Sequence, residues 1–146
     1  MTLTMMCGLP NSGKTTKARE MAAQTGATLI RLDSYTHLYL DGYKPQNILA
    51  FALRDMMDAL NRGEDVIYDA VNATADERRQ IVDTVDVEDC RIVCVYMQTP
   101  EAVCIARDRS GWSSFYAQRF EAPAENEGFA LTVSTDGVGE ADPAIG

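Results

Sequence analysis

Short apolar runs alternate along the chain with stretches in which apolar residues recur every three or four positions. The runs "LTMMC" (3–7), "ATLIRL" (27–32), "DVIYDA" (65–70) and "CRIVCVYM" (90–97) are too short for helices and predict buried strands. Between them the period lengthens. Residues 14–24 read as a helix closed by Gly26, and "QNILAFALRDMMDALNRG" (46–63) as a stronger one. In the latter, Ile48, Leu49, Ala52, Met56, Ala59 and Leu60 share a face and Gly63 ends the run. Thr74 opens "TADERRQIVDTV" with Glu77 three residues later, the spacing of a capping box. Thr99 is read as the N-cap, and Pro100 as the first turn, of a helix over "TPEAVCIARDR". The segment 33–45 predicts a loop or broken helix, "SGWSSFYAQRFEAP" a loop followed by a helix, and "FALTV" (129–133) a last edge strand. Strands alternating with amphipathic helices imply an α/β fold: a parallel sheet of four to five strands with helices on both faces.

The 146 residues suggest one domain over 1–134, followed by an acidic, mobile tail at 135–146 without apolar periodicity. The net charge of −9 is uneven. Residues 121–146 hold six acids and no lysine or arginine, whereas residues 1–63 hold seven basic residues against five acids. A local basic site can therefore persist under a negative total, because charges are screened over about 8 Å at physiological salt. Four cysteines without a CxxC pair sit in apolar runs and read as reduced core thiols. The sequence shows no apolar span of membrane length and no basic-then-apolar leader, so a cytoplasmic protein without membrane contact is expected.

The strongest chemical signal is "GLPNSGKTT". Gly8-x-x-x-x-Gly13-Lys14-Thr15 is a complete Walker A motif placed between a predicted strand and a predicted helix. In that context Gly8, Asn11, Ser12, Gly13, Lys14, Thr15 and Thr16 form a nucleotide-binding loop. Its backbone N–H groups and the helix N-terminus attract phosphate. Lys14 would bridge the β- and γ-phosphates of ATP, and the Thr15 hydroxyl would coordinate Mg²⁺.

Phosphoryl transfer to a hydroxyl also needs a base. Asp33 and Asp69 end two predicted strands, at the rim where a doubly wound sheet gathers its functional groups. One would take the acceptor proton; the other would support the metal through water or orient the acceptor; either could instead cap a loop. Arg107 and Arg109, ahead of Gly111, form a candidate lid that could stabilise charge on the moving phosphoryl group, or a solvated surface paired with Asp108. Arg78 and Arg79 are adjacent and cannot share a helix face, so at least one is structural or solvated. Tyr35, His37, Tyr39 and Tyr43 read as a packed flap, and Trp112, Phe115 and Phe120 as lid packing.

Taken together, "GLPNSGKTT", "RLDSY", "DAVNATADERR", "ARDRSG" and "RFEAPAENEGF" resemble the 5′-hydroxyl polynucleotide kinases, over nearly all of residues 3–133. The resemblance implies a P-loop kinase fold with a small helical lid. It makes Asp33 the general base, puts Asp69 and Asn72 on the acceptor and metal side, and assigns Lys14, Arg107 and Arg109 to the transferring phosphate. It implies ATP as donor, Mg²⁺ as cofactor and a 5′-hydroxyl DNA or RNA end as acceptor. The chain departs from the phage member of that family at Thr36, where that enzyme carries an arginine for the acceptor's phosphate. A small-molecule kinase acting on a nucleoside, sugar or other metabolite is the second reading. A nucleotide-binding module without catalysis is the third.

Overall fold

The computed structural model describes residues 1–85 and 87–134. The expected tail at 135–146 lies outside the described residues.

The chain runs through β1 (Thr2–Cys7), α1 (Lys14–Thr25), β2 (Thr28–Arg31), α2 (Pro45–Asn61), β3 (Val66–Asp69), α3 (Ala75–Thr84), β4 (Arg91–Met97), α4 (Glu101–Arg107), α5 (Trp112–Ala117) and β5 (Ala130–Ser134). The five strands form one parallel sheet in the order β2-β3-β1-β4-β5. The connections after β1 lead to one side and those after β4 to the other, so the carboxyl end of β1 is a topological switch point, where such sheets bind ligands. All four predicted strands and the edge strand are present, and this is the P-loop kinase fold the sequence implied.

Alternation along the strands builds two cores. Leu3, Met5 and Cys7 of β1, with Val66 and Tyr68 of β3, pack against α2 and α3. Met6, Ile67, Val95 and Met97 point the other way, onto Ala18 of α1. Helix α2 starts with Pro45 at its first turn and buries Ile48, Ala52, Leu53, Met56, Ala59 and Leu60. Of these, Ile48, Met56 and Leu60 each contribute about 1.5–3 kcal/mol by burial. Among the described residues no helix is long and apolar enough to cross a membrane.

The segment after β2 is a 3₁₀ stretch, Leu32–Asp41, ended by Gly42 at φ 87°, in agreement with the expected broken helix. Thr74 caps α3 by accepting from the Glu77 amide, but the Glu77 carboxylate reaches back to the Ala73 amide rather than to that of Thr74. The α4 cap is a correction. Pro100, not Thr99, holds the N-cap position. The Thr99 hydroxyl is committed elsewhere: it donates to the Ser12 carbonyl at 2.7 Å. That bond ties the end of β4 to the phosphate loop.

Candidate active site

The loop after β1 turns back on itself through Ser12 N–H to the Leu9 carbonyl. A side chain at Gly8 would place its Cβ 2.8 Å from Ser12 Oγ and 3.1 Å from the Met97 carbonyl, so only glycine fits there. Gly13, at φ 94°, occupies the left-handed region as it leads into α1. The turn is therefore fixed by sterics at Gly8 and by the left-handed backbone at Gly13. Asn11, Gly13, Lys14, Thr15 and Thr16 line one cleft of about 330 Å³ together with Arg107. Ser12 is fully buried beneath the loop, so of the expected nucleotide-binding residues it contributes through its backbone position.

Lys14 is buried, and its ammonium has a 3.5 Å contact with the Leu9 carbonyl. Burial pulls its pKa below the ordinary lysine value; the negative fields of Asp69 and Asp33 oppose that pull. A desolvated ammonium in a cleft of amides is suited to phosphate oxygens, which restore the solvation that folding removed.

Asp69 ends β3 and is buried. One carboxylate oxygen accepts the Thr15 hydroxyl at 2.7 Å and the Arg31 Nε–H at 3.3 Å. Arg31 and Asp69 are register partners on β2 and β3, which explains their meeting. Asp69 thus stands against Thr15 and is not among the residues that line the second cavity described below. A hydroxyl and a carboxylate beside a phosphate cleft are hard oxygen donors that fit Mg²⁺. Thr15 would ligate the ion directly and Asp69 would hold its water shell; bound there, Mg²⁺ neutralises charge on the β- and γ-phosphates. Among the described residues there is no cluster of three or more His, Cys, Asp or Glu that could hold a metal by itself. Such an ion would therefore depend on the nucleotide for its remaining ligands.

A second cavity, of about 340 Å³, opens between the 3₁₀ segment, the start of α2, the loop after β3 and α5. Asp33 stands at this cavity, its side chain 84% exposed and paired with Arg31 Nη2 at 3.8 Å. Asn72 is in a different situation. It also borders the cavity, but it sits at φ 49° and donates its amide to the Met6 carbonyl. Its own carbonyl accepts from Arg78 and from the Cys7 thiol. Asn72, expected on the acceptor side, thus borders the cavity and also staples β1 to the loop after β3.

The two lid arginines are separated by the structure. Arg107, at the end of α4, lines the phosphate cleft and donates to the Asn11 carbonyl at 3.2 Å. Arg109 is exposed beyond it and does not line the cleft. Among the described residues Asp108 forms no ion pair; its carboxylate accepts from the Ser110 amide and hydroxyl and from the Ser113 amide. These bonds hold its pKa well below the usual carboxylate range, the Ser110 hydroxyl contributing most. Ser113, in turn, bonds the Pro10 carbonyl at 2.9 Å and receives the Asn11 amide at 3.1 Å. The lid is thus docked on the phosphate loop. Trp112 and Phe115 meet edge to face, as do Phe115 and Tyr116, whereas Phe120 stacks on Tyr96 of β4.

Arg78 is structural, as one of the adjacent arginines had to be. It is fully buried, pairs with Glu127 at 2.9 Å and supports the Asn72 carbonyl, while exposed Arg79 pairs with Asp83. Sequence reasoning missed Arg31, Glu77 and the Arg78–Glu127 pair. Arg31 was signalled by its place two residues before Asp33 at a strand end. Glu127 carried no local signal, since its partner lies 49 positions away.

Comparison with known structures is consistent with this architecture. A Chloroflexus aurantiacus protein superposes with a TM-score of 0.74 at 15% identity, covering 97% of this chain and 90% of its own. The Mycobacterium tuberculosis APS kinase CysC, solved with AMPPNP and APS, gives 0.64 at 15% identity over 99% and 94%. A chain of the Pnkp1/Rnl/Hen1 complex gives 0.59 at 22% identity, over 73% of this chain and 38% of that one. These likenesses show a shared fold. No curated protein matches the sequence. The loop, its buried lysine and the metal-side aspartate all fall within residues 3–125, which match the AAA domain family, and the chain belongs to that family.

Proposed function

We propose that this chain is an ATP-dependent kinase that phosphorylates a hydroxyl of a small molecule bound in the Asp33 cavity. One observation carries the reading. The cavity that presents Asp33 has a volume of about 340 Å³, and among the described residues no lysine, arginine or histidine lines it. That size suits a metabolite. A polynucleotide end would need cations for its phosphates, because phosphate contacts dominate such binding. The kinase neighbour solved with a nucleotide analogue supports the donor half of the reading. In the reaction, the acceptor oxygen bonds to the γ-phosphorus as the β–γ bridging P–O bond breaks. Asp33 takes the hydroxyl proton, and the leaving oxygen departs on ADP. Lys14 and the loop amides hold the phosphates in line, and Arg107 faces the same cleft.

The polynucleotide reading rests on the sequence resemblance and on the 22% identical neighbour. Asn72 and Arg78, two residues of the most specific motif, are engaged in structural bonds here. The deciding test is ADP release from Mg²⁺-ATP with sugars, nucleosides and a 5′-hydroxyl oligonucleotide offered separately. Acceptor-dependent turnover with a small molecule and not with the oligonucleotide supports the proposal. Preferred turnover of the oligonucleotide overturns it in favour of the alternative. ATP binding without acceptor-dependent turnover reduces the chain to a nucleotide-binding module.

A further inference from the structure

The acceptor cavity has a marked chemical bias. Its floor is apolar, from Ile48, Leu49 and Ile81, while its polar side chains are the carboxylates of Asp33 and Glu77, the phenols of Tyr39, Tyr68 and Tyr116 and the amides of Gln46 and Asn72. The two carboxylates approach from different elements, Asp33 from the 3₁₀ segment after β2 and Glu77 from the first turn of α3. Their fields overlap within the cavity. The Tyr116 hydroxyl has its pKa raised, first by burial and then by Glu77, Tyr39 and Asp33 together. Arg31 lies 3.8 Å from Asp33, but it is also engaged with Asp69 and is not part of the lining.

From this we infer that the acceptor is a small amine-bearing alcohol, its ammonium bound by Glu77 while its hydroxyl is presented to Asp33. The inference rests on the kinase reading above and narrows the substrate class of the same site. One base suffices for the transfer, so Asp33 accounts for one carboxylate and leaves Glu77 without a role in the chemistry. One Glu77 oxygen accepts the Ala73 amide at 2.9 Å, which orients the carboxylate at the cavity wall. A charge-assisted hydrogen bond to an ammonium is stronger than one to a neutral hydroxyl, and the apolar floor suits the carbon skeleton between the two groups. An acceptor bearing phosphate or carboxylate would meet two negative groups, while the nearest cation, Arg31, is already held between Asp69 and Asp33. The specificity therefore has an attractive and a repulsive component.

The test compares matched acceptors with the full chain and Mg²⁺-ATP: glucosamine, galactosamine and an aminocyclitol against glucose, galactose, inositol and the corresponding sugar phosphates. Binding is followed by calorimetry and turnover by ADP release. The expected result is binding of at least one amine, with kcat/KM ten-fold or more above that of its neutral parent. In Glu77→Gln, which retains an oxygen for the Ala73 amide, that ratio falls to within about two-fold of unity through a rise in acceptor KM. Gln46→Lys, on an exposed first turn of α2, gives an independent check: it should lower the amine preference by adding a cation to the lining. Equal use of neutral parents, or a preference unchanged in both variants, overturns the inference but leaves the kinase reading standing. Absence of both binding and turnover across the amines also overturns it. Acceptor-independent behaviour across the whole panel, oligonucleotide included, overturns the kinase reading itself.

Discussion

Thr15 and Asp69, 54 positions apart, meet through a 2.7 Å hydrogen bond from the threonine hydroxyl to the carboxylate. The bond joins the first turn of α1 to the end of β3, and it sets the hydroxyl that would face a nucleotide-bound Mg²⁺. Asp69→Asn keeps the shape of the side chain but removes the charge. The Mg²⁺ concentration giving half-maximal turnover should rise by about 10- to 100-fold, as when a supporting partner of a metal ligand is lost. A Mg²⁺ titration of ADP formation reads this directly, and an unchanged midpoint removes Asp69 from the metal side.

Replacing Lys14 by methionine should abolish transfer and yet stabilise the nucleotide-free protein. Burial lowers the lysine pKa in the folded state below its ordinary value of 10.5. Between the two pKa values the unfolded chain holds a proton that the folded chain lacks, so this group's contribution rises with pH. Its penalty is full below the folded-state pKa and fades as pH rises from there toward 10.5. Lys14→Met should therefore melt higher than wild type at pH 7, with the gap narrowing toward alkaline pH. Paired melting curves without nucleotide decide it, and a lower melting point for the variant at pH 7 contradicts the argument.

Asp33→Asn should lower kcat by roughly 10²–10⁴-fold, the usual contribution of a general base. ATP affinity should stay close to wild type, because the Asp33 side chain is 84% exposed and lies outside the phosphate cleft. Calorimetry with ATP and single-turnover kinetics separate the two effects. Normal turnover with weakened ATP binding would assign Asp33 to the donor site.

The lid arginines should differ sharply. Arg107 lines the phosphate cleft, so Arg107→Ala should cost roughly 10³–10⁵ in kcat if it neutralises the transferring phosphoryl group. Arg109→Ala, at an exposed position, should change kcat by less than about ten-fold. Equal losses in the two variants would mean that the lid repositions on binding ATP.

Arg78 is fully buried and paired with Glu127. Arg78→Met strands that carboxylate and frees the Asn72 carbonyl, and should cost about 3–5 kcal/mol in denaturant unfolding. Arg78→Met combined with Glu127→Leu should recover part of the loss. No recovery in the double variant would locate the effect in the Asn72 contact instead.

The local features of this protein were legible in its sequence. The phosphate loop, the strand runs and the α2 stripe depend on periodicity and glycine sterics within a few residues. The placement of Asp33 and Asp69 on different sides of the site was not legible. It depends on β2 and β3 being neighbours, which sets Arg31 opposite Asp69 and leaves Asp33 two residues past the end of β2. Thr99 shows the same limit. Its sequence context matches an N-cap, but a tertiary partner, the Ser12 carbonyl, takes its hydroxyl. Asn72 read as a substrate contact because its motif is specific. Only the fold reveals that its amide is taken by Met6.

The docked lid acts as a latch. Arg107 to the Asn11 carbonyl, Asn11 to Ser113 and Ser113 to the Pro10 carbonyl are three hydrogen bonds between the lid and the loop that receives phosphate. At about 1 kcal/mol each, they leave the released lid populated in roughly one molecule in a hundred. A nucleotide that draws the Arg107 guanidinium toward its phosphates would work against these contacts. The association rate for ATP should then respond to Ser113→Ala more strongly than to ionic strength, as stopped-flow mixing would read.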